Sequence, residues 1–570
     1  MDAHKALITN IFNNSTLVEV PFFQRSYVWK EDLWGRLLED MEFVVKTKKP
    51  HFLGSIILKE GRKPRQGENF ADCRTIVDGQ QRLTTFLIFM KVLCLKLGQT
   101  ALFDCQFRIM GQMIALRHGR NDIQAFEKVM TLSKAEIIDN PEPASRIIGA
   151  FNYFVEHIDE SKLDIMTIFV NTQFVRIDLD ADEDEQQIFD TINSLGVNLT
   201  TSELLKNYFF NRETVGEYER KWADVFEKDD ETKVYWDREI ETGRIKRAII
   251  DIFFDSYFQL FIQDKQYNIS NEDKLMYSRV DRLAQSYQHF INKYCGGNKN
   301  IVLDQMKEYA ECFRNNLKPN QCGMSIPKEE GIERINVVIF GLKNTTMIPY
   351  ILYIAKNVQD KNELNKMCGI LESYIMRRVV VHASTKSYNN LFTLNKVLDS
   401  QTLTLRLKGI GDATTYCPDD NEMKIGFETS KLVNLQSKGI IYLLESKIRS
   451  DNSSTALLGF NNYSLEHLMP KKWRNNWGAC ATEDDAKKRD SLLLTLGNLA
   501  IIPQALNASI RDAAWNVKKA GKGQNKPGLL LCASGLYTLY DVLQKNDWNE
   551  HEIENRAEWL LANAQNIWKI

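Results

Sequence analysis

Apolar residues recur along this chain with two different periods, and the changes of period mark its elements. The runs Phe52 to Leu58 and Arg74 to Val77 are short, apolar and β-branched, which reads as strands. The polar stretch Lys59 to Asp72 between them predicts a hairpin with a long loop. From Gln80 to Leu97 the apolar spacing becomes that of a buried helix. Phe174 to Leu179 alternates and predicts another strand, and Glu19 to Phe23 is a short extended segment containing Pro21. Asp182 to Ser194 opens with acids and predicts a helix closed by Gly196. Thr200 followed by Glu203 is a capping-box pattern that starts a further helix through Phe210.

From 211 to about 450 the period is mostly helical, rich in Tyr, Phe, Leu and Lys. The polar segment Arg449 to Thr455 is the best linker candidate. Beyond it, Tyr463 to Met469 and Leu493 to Ile502 read as two strands. A helix follows from about Asn507, and the chain ends in a helix from His551 to Ile570. No internal repeat or low-complexity tract interrupts this order. The pattern predicts an α+β protein, predominantly helical, in three domains: an α/β region at 1–210, a helical connector at 211–450 and a strand–loop–strand–helix module at 451–570.

Composition narrows the class. The chain has 570 residues, 44% hydrophobic and 26% charged, which is the balance of an ordered globular protein. Lys plus Arg is 73 and Asp plus Glu is 75, a formal net charge of −2. The molecule is no polycation, so nucleic-acid binding would have to use local patches. Ten cysteines form no C-x-x-C pair, which excludes zinc-knuckle and dithiol-redox motifs and fits reduced thiols in the cytoplasm. The start lacks a basic-then-apolar leader, and no apolar run approaches membrane-spanning length, so a cytoplasmic protein without membrane attachment is expected.

The richest chemistry lies near the C-terminus. Ser464-Leu465-Glu466-His467-Leu468-Met469-Pro470 sets an acid beside a histidine at a strand end, and Asn498 and Asn507 follow in order. Phosphodiester hydrolysis needs a group that deprotonates water, and a neutral imidazole does this at neutral pH. It also needs a cation for the developing charge, and hard divalent cations favour carboxylate and amide oxygens. Between Ala505 and Lys526 stand Arg511, Lys518, Lys519, Lys522 and Lys526 against a single acid, Asp512, with Trp515 interleaved. Such a run suits phosphate contacts to DNA.

Two further motifs lie near the N-terminus. The first is Val20-Pro21-Phe22-Phe23-Gln24-Arg25-Ser26-Tyr27-Val28-Trp29. The second is Ile76-Val77-Asp78-Gly79-Gln80-Gln81-Arg82-Leu83-Thr84-Thr85. In the second a strand ends, Asp-Gly turns, and a helix begins, so its first N–H groups and Arg82 suit a phosphate. Thr84 and Thr85 add hydroxyls. Gln24, Arg25, Tyr27 and Trp29 offer a second cation and a stacking surface. There is no P-loop and no G-x-G-x-x-G, so neither common nucleotide fold is supported.

The His467, Asn498 and Asn507 constellation resembles the HNH, or His-Me-finger, nucleases, whose D-H-I-x-P string is close to E-H-L-M-P, with Glu466 replacing the more usual Asp. That resemblance implies His467 as general base, Glu466 and Asn507 as ligands of Mg²⁺ or Mn²⁺, and Asn498 as the residue that holds the loop or orients the histidine. The paired N-terminal motifs look like the N-terminal domain of GmrSD-type, modification-dependent restriction enzymes, which has a ParB/sulfiredoxin-like core with a D-G-Q-Q-R nucleotide motif. The resemblance continues through Ile188 to Asn193, Gly196, Leu199 and Leu204 to Tyr208. It reappears at Arg377-Arg378, Thr385, Tyr388 and Asn389, then at Ile553 to Arg556 and Trp568. It implies binding or hydrolysis of GTP or ATP, coupled to cleavage of modified or foreign double-stranded DNA in antiphage defence. Asp78, Gly79, Gln80, Gln81 and Arg82 would form the phosphate site, and a homodimer is compatible with it. Two alternatives stay open: a DNA-modification sensor with an inactive nuclease module, and an NTPase switch that does not cut.

Overall fold

A computed structural model describes the chain apart from residues 1, 22–23, 25, 65–69, 120–121, 142–143, 181–199, 211–213, 243–244, 386–387, 389–396, 451–454, 505, 507–511 and 523–525. The expected helix at Asp182 to Ser194 lies outside the described residues, as do Arg25, Asn389, Asn507 and Arg511. Two compact units make up the chain, Met1–Asp230 and Glu231–Ile570.

The first unit is built on a mixed six-stranded sheet. Its strands are β1 (Asp2–Leu7), β2 (Thr16–Glu19), β3 (His51–Glu60), β4 (Asp72–Asp78), β7 (Leu116–Arg117) and β8 (Thr172–Leu179), in the order β1-β8-β3-β4-β2-β7. A small ribbon of β5 (Arg108–Ile109) and β6 (Met113–Ile114) stands apart from it. The expected hairpin is present: β3 and β4 pair antiparallel, Leu58 opposite Ile76. β8 joins β3 in parallel and β1 antiparallel.

Helix α1 (Glu31–Thr47) precedes β3, and α2 (Gln80–Lys96) leaves β4 immediately. Residues Leu83 to Cys94 of α2 are all buried, so the helix is covered on every side rather than along one stripe. It packs against α3 (Arg146–His157), with the Phe89 and Phe154 rings edge-to-face at 5.5 Å between centroids. The Thr200–Glu203 capping box forms as its spacing predicts, and the helix it opens runs Thr201–Phe209.

The second unit is mostly helical. Its long helices include α4 (Ile249–Ile262), α5 (Lys361–Val380), α6 (Asn434–Ile448) and α8 (Glu550–Ile567). A small ribbon joins β9 (Glu239–Thr242) to β10 (Ile245–Ala248). A second antiparallel ribbon joins β11 (Tyr463–His467) to β12 (Leu499–Pro503), and α6 packs on both its strands. The short helix α7 (Trp515–Ala520) follows β12.

Buried charge ties the unit together. Arg334 makes a two-pronged pair with Glu372 at 2.7 and 2.8 Å, and Trp568 Nε1 donates to the same carboxylate at 3.3 Å. Arg377 donates to the Trp568 carbonyl, and the fully buried Arg378 to the carbonyls of Ser384, Thr414 and Tyr416. The C-terminal end of α6 is tied into the unit. Arg449 donates to the Gly535 carbonyl at 3.0 Å, and Glu445 accepts the Tyr537 and Thr538 amides. Residues 211–230 therefore fall in the first unit, and 231–450 share one unit with 451–570. No helix among the described residues is long and apolar enough to cross a membrane.

Candidate functional site

In the first unit, the two N-terminal motifs bind each other. Gly79 caps α2 with φ +99°, a left-handed value open to glycine, and a Cβ there would press on Ile56 at 3.1 Å. The turn brings Asp78 Oδ2 to 3.5 Å from Arg82 Nη1, which also donates to the Ser55 carbonyl at 2.7 Å. Gly54, at φ +116°, leaves room for that guanidinium; a Cβ would stand 3.0 Å from Arg82 Nε.

Gln81 accepts the Val28 amide at 2.8 Å and donates to the Ser26 carbonyl. Gln24 donates to the carbonyls of Ile76 and Val77 at 2.7 and 3.1 Å. The Tyr27 and Thr85 hydroxyls bond at 2.6 Å, and Trp34 Nε1 donates to Tyr27. Thr84 donates back to the Gln80 carbonyl and meets His118 at 3.0 Å. Burial pulls the His118 imidazole down to about 3, so it is neutral at neutral pH.

Thr84 and Thr85 thus differ from expectation. They sit on the inner face of α2, wholly buried, and their hydroxyls are spent inside the protein. Gln80 and Gln81 are also buried, and Trp29 packs part-buried at the core's edge. The surface-facing groups of the motif are the Asp78 and Arg82 side chains, 21% and 29% exposed.

In the second unit, Glu466 and His467 end β11, and the loop that follows is clamped by Asn498. That asparagine is fully buried. Its Oδ1 accepts the Met469 amide at 2.8 Å and Trp548 Nε1 at 3.1 Å. Its Nδ2 donates to the Met469 and Leu493 carbonyls at 2.9 and 3.0 Å. The Asn498 carbonyl also accepts the Leu468 amide at 2.9 Å. His467 Nε2 is buried with no hydrogen-bond partner among the described residues. Burial, aided by the nearby Lys471 and Lys518 charges, pulls this imidazole down to about 4, so it too is neutral at neutral pH.

Lys518 is the largest departure from the expected site. Instead of facing DNA, its side chain is fully buried; its ammonium bonds the Glu466 carboxylate and donates to the His467 carbonyl at 2.6 Å. Burial pushes the Glu466 carboxyl up and the Lys518 ammonium down, and each is opposed by its partner. The physical reason is burial: Glu466 lies 5% exposed in β11, where its carboxylate demands a counter-charge. Lys519 is half-buried, its ammonium on the Lys545 carbonyl, while Lys522 is exposed.

Lys471 and Lys472, directly after the motif, are exposed beside His467. They were legible as a basic pair in the sequence and belong with the phosphate-contact candidates. Of the residues that buttress the Asn498 loop, Arg556 lies in the Ile553–Arg556 stretch of the resemblance, whereas Trp548 carried no signal that would have marked it.

A divalent cation at Glu466 would need a carboxylate that is here committed to Lys518. Among the described residues, no cluster of three or more His, Cys, Asp or Glu could hold a metal. A metal does not fit beside Glu466 while Lys518 stays in place.

The first unit is a mixed sheet whose two N-terminal motifs bind each other, and the second is a helical unit with a clamped histidine on a two-stranded ribbon. Two family models match the chain: the GmrSD restriction endonuclease N-terminal domain over residues 8–210 and the GmrSD restriction endonucleases C-terminal domain over residues 417–563. Together they span more than half of it, and the chain belongs to the GmrSD restriction endonuclease family. It is a DNA endonuclease of restriction defence. The second match begins upstream of Arg449 and takes in α6, in keeping with the packing of α6 on the ribbon. No curated protein matches the chain.

Proposed function

We propose that the second unit is an HNH-type nuclease centre and that His467 is its general base. The observation that carries this reading is the neutral His467 imidazole at the end of β11, whose Nε2 has no partner among the described residues, on a loop fixed by four side-chain hydrogen bonds of Asn498. Nε2 takes the proton of an attacking water, the water oxygen bonds to phosphorus, and the bond to the leaving oxygen breaks, its electron pair staying on that oxygen, which takes a proton from solvent water. Lys471 and Lys472, with Lys519 and Lys522, hold phosphates of double-stranded DNA, modified or foreign. Asn498 is a positioning residue. Because Nε2 is sealed from solvent in this arrangement, DNA binding has to open it to water.

Restriction endonucleases generally use divalent metals. A role for Mg²⁺ or Mn²⁺ held by Glu466 and Asn507 requires Lys518 to leave the carboxylate. The Glu466–Lys518 pair is the one observation that favours the second reading, a modification sensor or NTPase switch without its own cleavage.

The first unit is proposed to be ParB/sulfiredoxin-like and to bind GTP or ATP. Arg82, the Gly79–Gln80 amides and Asp78 would face the phosphates, while Gln24, Tyr27, Gln81, Thr84 and Thr85 hold the motif in shape. Its binding would shift cleavage only through differential affinity for two states. Plasmid cleavage by the parent protein and by His467→Ala is the test. Loss of at least ~10²-fold is expected for a missing general base, and retained nicking would remove His467 from the mechanism.

A further inference from the structure

Behind the Asn498 clamp lies a cleft of about 270 Å³ that the nuclease reading does not use. We propose that it binds a nucleobase. Its walls include the rings of Tyr537, Trp548 and Trp559, with Asp541, Gln544 and Asn555 around them. Tyr537 and Trp559 are each 37% exposed, so two rings of the lining stand open to a ligand, while Trp548 is buried.

The size is below the roughly 300–1,000 Å³ of sites for drug-sized ligands, which suits one planar ring system. The Gln544 and Asn555 amides each offer a donor and an acceptor, the pattern of a base edge. Lys545 and Glu552, also in the lining, pair at 2.9 Å, so the cleft has no strong net charge from them and favours a neutral ring over an ion. Aromatic faces stack on any base.

The cleft is also built into the nuclease loop. Trp548, one of its walls, donates to Asn498 Oδ1 at 3.1 Å. Arg556, another lining residue, donates to the Gly497 and Leu499 carbonyls, each at 2.7 Å. Asn498 in turn holds the amides of Leu468 and Met469 next to His467. A base in the cleft therefore bears on the two side chains that fix the catalytic loop, and tightens it. That consequence rests on the reading of His467; the pocket itself does not.

The base has two sources, an unstacked base of the DNA substrate or a free nucleotide. The test titrates the full chain with 2-aminopurine in a single-stranded oligonucleotide and, separately, with free 2-aminopurine nucleoside. Stacking is read as quenching of its fluorescence. Loss of a stacking ring is expected to weaken binding roughly 5- to 150-fold. Trp559→Ala and Tyr537→Ala, singly and together, are the variants, with circular dichroism confirming that they fold.

Binding that is lost in the double variant supports the pocket, and which probe binds identifies the source. Undiminished binding in the folded double variant overturns the proposal, as does absence of quenching by both probes in the parent. Hydrogen exchange at Leu468 and Met469 should slow on saturation in the parent alone, and unchanged exchange there removes the coupling. His467→Ala should still quench whichever probe the parent quenches, so failure of the nuclease reading and failure of the pocket are told apart.

Discussion

Replacing Asn498 by Ala removes four hydrogen bonds from a site with no exposure to water. The Met469 amide and the Trp548 indole lose their acceptor, and the Met469 and Leu493 carbonyls lose a donor. At about 1 kcal/mol net for each bond the loss is about 4 kcal/mol, and two stranded buried donors push it higher unless water enters. Most single substitutions cost less than that. His467→Ala is the control from the same loop: it deletes a ring whose Nε2 has no partner, so stability should change by less than ~1 kcal/mol. Both variants should cut plasmid DNA poorly, but only Asn498→Ala should unfold early.

Urea unfolding of the second unit, followed by tryptophan emission and by exchange of the Leu468 and Met469 amides, measures the difference. Exchange of the Trp548 indole N–H reports the clamp directly, since that indole loses a hydrogen bond. An Asn498→Ala protein within ~0.5 kcal/mol of the parent would refute the clamp, because surface changes alone reach that size. Normal cleavage by a destabilised Asn498→Ala would detach the clamp from function.

Arg82→Ala should weaken nucleotide binding by calorimetry while leaving the second unit's fold intact, and unchanged affinity would dismiss the proposed phosphate site. Lys518→Met strands a buried carboxylate and should destabilise the second unit by ~3–5 kcal/mol, much of it recovered by adding Glu466→Gln; full stability of Lys518→Met alone would mean that the pair does not form. Manganese binding by electron paramagnetic resonance should strengthen in Lys518→Met if a cation uses Glu466, whereas equal binding in parent and variant would place any metal elsewhere. His467 and His118 both have folded values below the ordinary 6.5, about 4 and about 3, so the unfolded chain binds more protons as pH falls below ~6.5. Their stabilising contribution is complete above ~6.5 and is lost on acidification toward 3, up to ~3 kcal/mol for His467 in the second unit and ~5 kcal/mol for His118 in the first; pH-independent unfolding midpoints across that window would contradict the burial of both rings.

Much of the local architecture was legible in residue order. The hairpin about Lys59, the helix from Gln80, the Thr200 capping box and the strand ending at His467 all follow from period and capping chemistry, which act over a few residues. The second ribbon strand is shorter than its apolar run suggests. Leu493 to Asn498 is apolar because it is buried, and it forms a turn that carries Asn498 into the core rather than a strand. The helix expected from Asn507 lies outside the described residues. The site's polar roles were less legible. A threonine in the second turn of a helix reads the same whether it faces a ligand or the core. Thr84 and Thr85 face the core because α2 is covered on all sides.

The sequence by itself determined the mixed α+β class, the motif that turns β4 into α2, and the pairing of Glu466 with His467 at a strand end. These depend on dihedral preference, alternation and capping, all properties of short segments. Only the tertiary structure decided that Lys518 neutralises Glu466, that Trp548 and Arg556 hold the Asn498 loop, and that Gln24 and Gln81 splice the two N-terminal motifs together. Those partners lie from 50 to 59 residues apart. A buried charge or amide accepts whatever partner the fold delivers within about 3 Å, and no local period encodes which residue that is.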